Sequence, residues 1–151
     1  MAKWLAAAII TRTEKGVLEV MVVDQTSTHP KYKGRPMQTK FPAGTEENHE
    51  QEDKTVLDTL RREILEETGL TIPENYLPRL ILSENLPGHF KNFYLIPRSD
   101  MLGEEKTEDA VIDFDHMKPP RWVAIDTVGR ELYRSHQPAL LKAMGIYRTT
   151  I

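Results

Sequence analysis

Two apolar segments near the amino terminus are separated by a short polar break. Residues 4–10 and 17–23 are rich in Val, Ile and Ala, and Gly16 lies in the polar segment between them. Apolar segments that flank a glycine turn are typical of a β-hairpin. We therefore predict two paired strands, then a loop over residues 24–37 and a short strand over Thr39–Ala43 that the Pro-Ala-Gly sequence breaks.

A helical period replaces this pattern from Asp53 to Thr68, after an acidic stretch over residues 45–53 that we expect to be an exposed loop. Gly69 suits the carboxy-terminal cap of the helix. The stripe that the helix should bury consists of Val56, Leu57, Leu60 and Ile64.

The second half of the chain contains further strand-like and helical segments. Asp126 is a candidate cap for a closing helix that extends to about Met144, with an interruption at Pro138. Strands before and after a central helix predict one domain over residues 1–151, an α/β sandwich with a mixed sheet. The predicted strands are Arg79–Ser83, Phe90–Ile96 and Arg121–Ile125, and a long charged segment occupies residues 98–120.

Three glutamates of the central helix lie where its buried face begins. At about 100° per residue, Glu63 and Glu67 are about 40° apart beside the apolar stripe, and Glu66 flanks the same edge. Unpaired carboxylates at such a place repel one another, and a hard divalent cation relieves that repulsion. Arg62 can steady the cluster by a charge-assisted hydrogen bond. An ordinary exposed helix can share this local sequence, so the residues around it must show whether the glutamates form a metal site.

Those surroundings resemble the Nudix hydrolase family. Its motif is G-x5-E-x7-R-E-U-x-E-E-x-G-U, in which U is aliphatic, and the strand end before it resembles Phe41-Pro42-Ala43-Gly44. The second half of the motif is matched by Arg62, Glu63, Ile64, Glu66, Glu67, Gly69 and Leu70. The resemblance implies a Nudix-type α/β/α sandwich and hydrolysis of phosphorus-containing acid anhydrides.

The first half of the motif departs from the family pattern. Gly44 lies eighteen residues before Arg62, where the motif has fourteen, so the loop is longer by four. Lys54 takes the place of the first glutamate. Glu50 or Glu52 of the longer loop are alternative substitutes for it.

The resemblance also implies a magnesium site, with manganese as an alternative metal. Its ligands would be Glu66, Glu67 and the Gly44 carbonyl oxygen, while Glu63 binds metal or activates water. A metal-bound water would attack one phosphorus atom of a pyrophosphate. Many family members take a further acid from outside the motif, and the candidates are Glu84, Glu104, Glu105, Glu108 and Asp109.

Charge and composition narrow the remaining choices. The net charge is −3, but an entirely basic stretch precedes the acidic one, which suits a phosphorylated ligand or a solvated loop. The candidate substrate-binding residues are Lys31, Lys33, Arg35 and Lys40, and Tyr32 or Phe90 could stack on a base. There is no cysteine, the five histidines lack zinc-ligand spacing, and nothing indicates a nucleic-acid partner. The apolar amino-terminal run is too short to span a bilayer, so we expect a soluble cytoplasmic protein.

The sequence thus predicts a magnesium-dependent pyrophosphohydrolase of a nucleoside diphosphate linked to another group. A nucleoside triphosphate, cut to monophosphate and pyrophosphate, is the first choice of substrate. The alternatives are an NDP-sugar, ADP-ribose or a dinucleoside polyphosphate. A non-catalytic nucleotide sensor on the same fold is an alternative of another class, whereas an isomerase is disfavoured by the absence of cysteine.

Overall fold

The amino-terminal hairpin lies at the centre of the sheet in the computed structural model, which describes residues 3–45, 53–112 and 114–149. β1 (Lys3–Glu14) pairs antiparallel with β2 (Val17–Ser27). Lys15 and Gly16 form the turn with φ values of 50° and 79°, the positive angles that a two-residue hairpin turn favours. The predicted hairpin is confirmed, and β2 continues into the predicted loop because Asp24–Ser27 pair with other strands.

The sheet is mixed. Its main path runs β5-β6-β1-β2-β8-β7, with β1 and β6 parallel and the other pairs antiparallel. Beside this path, β4 pairs with β1, whereas β3 and β9 pair with β2. The remaining strands are β3 (Gln38–Lys40), β4 (Ala43–Thr45), β5 (Arg79–Leu86), β6 (His89–Pro97), β7 (Ala110–Ile112), β8 (Asp115–Met117) and β9 (Arg121–Ala124).

One helix packs on each face of the sheet. The helices are α1 (Val56–Thr68) and α2 (Gln137–Thr149). β1 alternates between two cores, since Ala6, Ala8 and Ile10 pack with Leu60 and Ile64 of α1, while Ala7 and Ile9 pack with Ala139, Leu140 and Ala143 of α2. The predicted α/β/α sandwich is confirmed.

α1 begins three residues later than predicted because a capping box fixes its start. The Asp58 N–H donates to Thr55 Oγ1 at 3.1 Å, and the Thr55 N–H donates to Asp58 Oδ2 at 3.0 Å. At the other end Gly69 is left-handed, with φ 83°, and its N–H donates to the Leu65 carbonyl oxygen at 3.0 Å. The predicted glycine cap is confirmed.

The strand predicted over Thr39–Ala43 is wrong in its bounds. Two strands replace it: β3 pairs with β2, and β4 pairs with β1. Pro42, which has no N–H to donate, lies between them. The chain therefore changes partner here, and β4 brings Gly44 beside the start of β1.

Two predictions for the last third of the chain are also wrong. The segment 98–120 contains β7 and β8, which were not predicted. α2 begins at Gln137, so Asp126 does not cap it, and Pro138 lies in its first turn, where a missing N–H costs no helical hydrogen bond. Short 3₁₀ turns precede it at Val128–Arg130 and Arg134–His136. No helix in the described ranges is long and apolar enough to cross a membrane.

Replacement of Gly69 by alanine should lower the free energy of unfolding by about 1–2 kcal/mol, since a left-handed residue with a Cβ is strained. That Cβ would also lie 2.9 Å from the Glu104 carbonyl oxygen. Chemical denaturation measures the change. Gly145→Ala in α2, where a Cβ meets nothing within 4 Å, is the matched control and should instead stabilise by up to about 1 kcal/mol. Equal effects of the two substitutions would contradict the assignment of Gly69 as a conformational cap.

Candidate active site

Glu67 is held at the junction of α1 and β4, and it is only 5% exposed. Its Oε1 accepts a hydrogen bond from the Ala43 N–H at 3.0 Å, and its Oε2 lies 3.6 Å from Lys40 Nζ. Lys40 Nζ also donates to the Ala43 carbonyl oxygen at 2.9 Å. Glu67 and Lys40 are thereby fixed to the same short stretch of backbone.

Gly44 is required because the Glu63 carboxylate lies directly against it. A Cβ at Gly44 would be 2.0 Å from Glu63 Cδ and 2.1 Å from its Oε1, far inside van der Waals contact. Any side chain at this position would displace the carboxylate. Glu63 and Glu67 are therefore packed side by side between α1 and the backbone of β4, as the helical spacing predicts.

Arg62 connects the acidic side chains of this region. It contacts Glu63 Oε1 at 2.7 Å and Glu66 Oε2 at 3.4 Å, and it donates to the Thr45 carbonyl oxygen at 3.0 Å. Burial alone would lower the pKa of Arg62, but its hydrogen bonds to Asp53 and Glu63 and their negative charges raise it well above the ordinary value. Arg62 therefore stays charged and holds the acidic side chains together through these contacts.

Asp53 is a member of this cluster that the sequence analysis missed. It is 9% exposed rather than part of an exposed loop, and its Oδ2 lies 2.7 Å from Arg62 Nη2. Thr59 Oγ1 donates to the same oxygen at 2.9 Å. Asp53 directly precedes Lys54, the position where the family motif has glutamate, and this adjacency was the available signal. The predicted substitutes Glu50 and Glu52 lie outside the described residues.

The two buried carboxylates have raised pKa values. Burial raises the pKa of Glu63 to about 8, the negative charge of Glu67 adds to the rise, and the positive charges of Arg62 and Lys40 oppose it. Burial likewise raises the pKa of Glu67, against the charge of Lys40 and the hydrogen bond from Ala43. The pair would ionise more readily if a further positive charge lay beside it.

The donor set of this cluster fits a hard divalent cation. Carboxylate and backbone carbonyl oxygens are the ligands that Mg²⁺ prefers. Within residues 3–45, 53–112 and 114–149, no three acidic or imidazole side chains are already gathered as a cage. Magnesium commonly keeps several waters and uses few protein ligands, so this arrangement is compatible with it. Burial is the main cause of the raised pKa of Glu63, and the positive charges of Arg62 and Lys40 offset it only in part.

Comparison with known protein families shows which family this chain belongs to. The model of the NUDIX domain matches residues 2–144. The chain belongs to the Nudix domain family. This assignment confirms the predicted enzyme class, a Nudix hydrolase that acts on phosphorus-containing acid anhydrides.

Solved structures share the fold at low sequence identity. The NUDIX domain of Shewanella oneidensis NrtR, complexed with ADP ribose, is 15% identical, with a TM-score of 0.68 over 97% of this chain and 89% of that one. The MutT NUDIX hydrolase from Burkholderia pseudomallei is 19% identical, with a TM-score of 0.64 over 94% and 98%. A C. elegans Ap4A hydrolase is 17% identical, with a TM-score of 0.58 over 97% and 98%. No curated protein sequence matches. These likenesses establish the fold.

The four basic residues that the sequence analysis selected do not act as one group in this Nudix domain. Lys40 contacts Glu67. Lys31, Lys33 and Arg35 lie in the exposed loop after β2, where the Arg35 guanidinium stacks 4.4 Å from the centre of the Tyr32 ring. Within the described ranges none of these three forms an ion pair, so their charge is available to a ligand.

The candidate acids outside the Nudix motif are mostly engaged elsewhere. Glu105 is bound to Arg98 at 2.6 Å, and Asp109 to His116 at 2.7 Å. Glu84 lies opposite Lys91 in the β5–β6 pair. The Glu104 backbone packs against Gly69 at the carboxy-terminal end of α1. The contacts give none of these residues, nor Glu108, a position among Glu63, Glu66 and Glu67.

His136 is a further residue that supports the Nudix site. It is 2% exposed, its ring stacks on Phe41 at 5.7 Å, and its Nδ1 accepts the Phe41 N–H at 3.1 Å. Burial, with the charges of Lys40 and Lys91, lowers the pKa of His136 to about 3. The neutral ring can therefore accept this hydrogen bond at physiological pH, and it anchors the turn between β3 and β4.

Gly44→Ala should leave the fold intact and disable the site, because the group that must move is the end of a flexible side chain. A carboxylate displaced by 1 Å or more can lower the turnover number on the order of 10²-fold. Steady-state kinetics and the thermal midpoint test this, with Gly145→Ala as the control for the same chemical change outside the site. Full activity in Gly44→Ala would contradict the close approach of Glu63 to Gly44.

The metal-free protein should lose stability as the pH rises from about 5 to about 8. The pKa of Glu63 rises from its ordinary value of 4.5 to about 8 on folding, so between these values the folded state holds more protons than the unfolded chain. Its stabilising contribution is complete below the lower value and is lost as the pH passes the upper one. Urea denaturation in the presence of EDTA measures the slope. Glu63→Gln should flatten it, and an unchanged slope would contradict the assignment.

Proposed function

We propose that this Nudix hydrolase is a magnesium-dependent pyrophosphohydrolase of a nucleoside diphosphate linked to another group. The first candidate substrate is a nucleoside triphosphate, cut to a monophosphate and pyrophosphate. One observation carries the proposal: Glu63 and Glu67 are buried side by side against the backbone of a required glycine, and both have raised pKa values. Burying such a pair lowers the stability of the fold, but it provides carboxylate oxygens that can bind a cation together with a substrate phosphate.

Four groups of the cluster would hold magnesium. They are the carboxylates of Glu63, Glu66 and Glu67 and the carbonyl oxygen of Gly44. When bound, magnesium neutralises charge on phosphate oxygens and lowers the pKa of a coordinated water, and manganese can take the same ligands.

The side chains of the cluster then have distinct tasks. Glu63 accepts the proton of the attacking water as the new phosphorus–oxygen bond forms and the bridging phosphorus–oxygen bond breaks. Arg62 holds Glu63 and Glu66 in place through its contacts of 2.7 and 3.4 Å. Lys40 balances the charge of Glu67 and is close enough to the cluster to contact a substrate phosphate.

The basic loop supplies the outer phosphate contacts in this proposal. Lys31, Lys33 and Arg35 are exposed and carry three positive charges on a loop that leads directly into β3 and Lys40. Lysine and arginine are the usual partners of phosphate oxygens, arginine as a bidentate donor. These charges would attract the phosphates of a nucleotide that is bound beside Lys40.

Product analysis tests the function directly. Purified protein is incubated with Mg²⁺ and with nucleoside triphosphates, NDP-sugars, ADP-ribose and dinucleoside polyphosphates, and the products are separated by ion-exchange chromatography. We expect a monophosphate and pyrophosphate from a triphosphate. Glu67→Gln should lower turnover by at least about 10²-fold, because it removes a charged ligand that the reaction requires. Glu74→Gln, an exposed glutamate after α1, is the matched control and should retain wild-type turnover.

If the protein hydrolyses a different class of compound in the panel, that class becomes the proposed substrate in place of the triphosphate. Turnover that survives in Glu67→Gln would contradict the assigned site. If no compound is hydrolysed while nucleotide binding is measurable, the enzymatic proposal fails and a nucleotide sensor is the better explanation.

A further inference from the structure

A small cavity lies beside β3. It has a volume of about 240 Å³. Its floor is formed by strands β3, β2 and β8, and the loop after β2 covers it. The lining residues are Gln25, Ser27, Gln38, Asp115, Tyr133 and, from the loop, Tyr32 and Arg35 with Pro36.

Strand register places this cavity on the same face of the sheet as the carboxylates. Gln25 pairs with Gln38 and Val23 pairs with Lys40, so these four residues share a face. On that face Lys40 reaches Glu67 of α1. Gln38 precedes Lys40 by two residues, about 7 Å along the strand. The cavity therefore lies next to Lys40, where the proposed function places a substrate phosphate.

Three polar side chains of the cavity lack a partner within the described part of the chain. Gln25, Gln38 and Asp115 are each partly buried, yet among the described residues their side chains make no hydrogen bond or ion pair. Ser27 lies opposite Asp115 in the β2–β8 pair, which brings the carboxylate to the same floor. Convergent polar groups around a cavity are typical of a site that orients a ligand by hydrogen bonds.

Contacts among the described residues hold the loop that covers the cavity. Thr28 binds the Phe114 carbonyl oxygen through both its N–H, at 2.6 Å, and its Oγ1, at 2.8 Å. The His29 ring packs edge-on against Phe114 at 4.8 Å and lies 5.7 Å from Tyr32. The start of the covering loop is thus tied to the segment that leads into β8, and Tyr32 with its stacked Arg35 closes the cavity.

Size and charge favour a neutral ring over a second phosphate chain. Pockets for drug-sized ligands enclose roughly 300–1,000 Å³, so this cavity suits one ring system rather than a dinucleotide. Arg35 and Asp115 contribute opposite charges at the cavity itself, whereas a phosphate would be repelled by the carboxylate. The two glutamine amides each donate and accept, as the edge of a nucleobase requires.

We propose that this cavity binds the nucleobase of the substrate, and that Asp115 selects guanine. An ionised carboxylate only accepts hydrogen bonds, and it can accept two in parallel. Guanine offers two adjacent donors, its ring N1–H and its 2-amino group, while adenine presents an acceptor at ring N1. The glutamine amides match the remaining acceptors of guanine. This inference rests on the proposed function for the position of the phosphates.

Calorimetric titration with nucleoside monophosphates tests the cavity without turnover. We expect wild-type protein to bind GMP more tightly than IMP, which lacks the 2-amino group, and IMP more tightly than AMP. Asp115→Asn should weaken GMP binding on the order of ten- to hundredfold, the usual value of a bidentate base contact, and leave AMP binding unchanged. Asp126→Asn, at an exposed aspartate outside both sites, should leave all three affinities unchanged.

Kinetics with GTP and ATP separates this inference from the proposed function. A GTP preference in kcat/KM that Asp115→Asn abolishes supports both. Hydrolysis with equal kcat/KM for GTP and ATP overturns the guanine site and leaves the hydrolase. Absence of hydrolysis of both, with GMP binding that depends on Asp115, refutes the triphosphate as the substrate and retains the guanine site. Equal binding of GMP and AMP, or binding that ignores Asp115→Asn, overturns the inference.

Discussion

The burial of two neighbouring carboxyl groups at the junction of α1 and β4 is the constraint on which this structure depends. Glu63 and Glu67 are removed from water next to each other, an arrangement that repulsion and desolvation both disfavour. It persists because positive charge and hydrogen-bond donors surround it. Arg62 contacts Glu63, Lys40 lies beside Glu67, and the Ala43 N–H binds Glu67. The rest of the fold holds these groups in register.

Several distant parts of the chain serve that purpose. The alternating small residues of β1 let α1 and α2 pack closely on opposite faces of the sheet. Asp53, held by Thr59, fixes Arg62 from the amino-terminal side of α1. His136, in the 3₁₀ turn directly before α2, fixes the Phe41 N–H just before Pro42. The site therefore depends on the segments that lead into both helices, although Glu63, Glu66 and Glu67 all come from α1.

Features with a strong local period were predictable from the sequence. The hairpin, the buried stripe of α1, its glycine cap and the neighbouring positions of Glu63 and Glu67 follow from alternation and helical spacing. The three-residue strands β7 and β8 were missed because such short strands carry no period and form only by pairing with β2 and each other. The start of α2 was misplaced, since Asp126 begins a turn and Pro138 suits a first helical turn.

The residues missed at the site are those whose roles depend on tertiary register. Asp53 is one position from the motif glutamate, and only the path of the chain into the capping box brings it to Arg62. Lys40 was selected as a substrate contact together with Lys31, Lys33 and Arg35, and its position beside Glu67 could not be predicted because it depends on β3. In the sequence Lys40 belongs to the same basic stretch as Lys31 and Lys33, whereas in the structure Lys40 contacts Glu67 and the other two lie in an exposed loop.

β3 unites the two regions that the proposals connect. Its alternate residues Gln38 and Lys40 face the proposed base cavity and the carboxylates respectively, and Thr39 between them donates to Asp24 Oδ1 at 2.6 Å on the opposite face. That buried hydrogen bond, together with the bonds from Arg121 to Asp24, holds β3 in position from the face opposite Gln38 and Lys40. A displacement of β3 would move a base contact and a carboxylate contact together. In the two proposals, base recognition and phosphate positioning would both depend on this three-residue strand, which the hydrogen bond from Thr39 to the buried Asp24 holds in place.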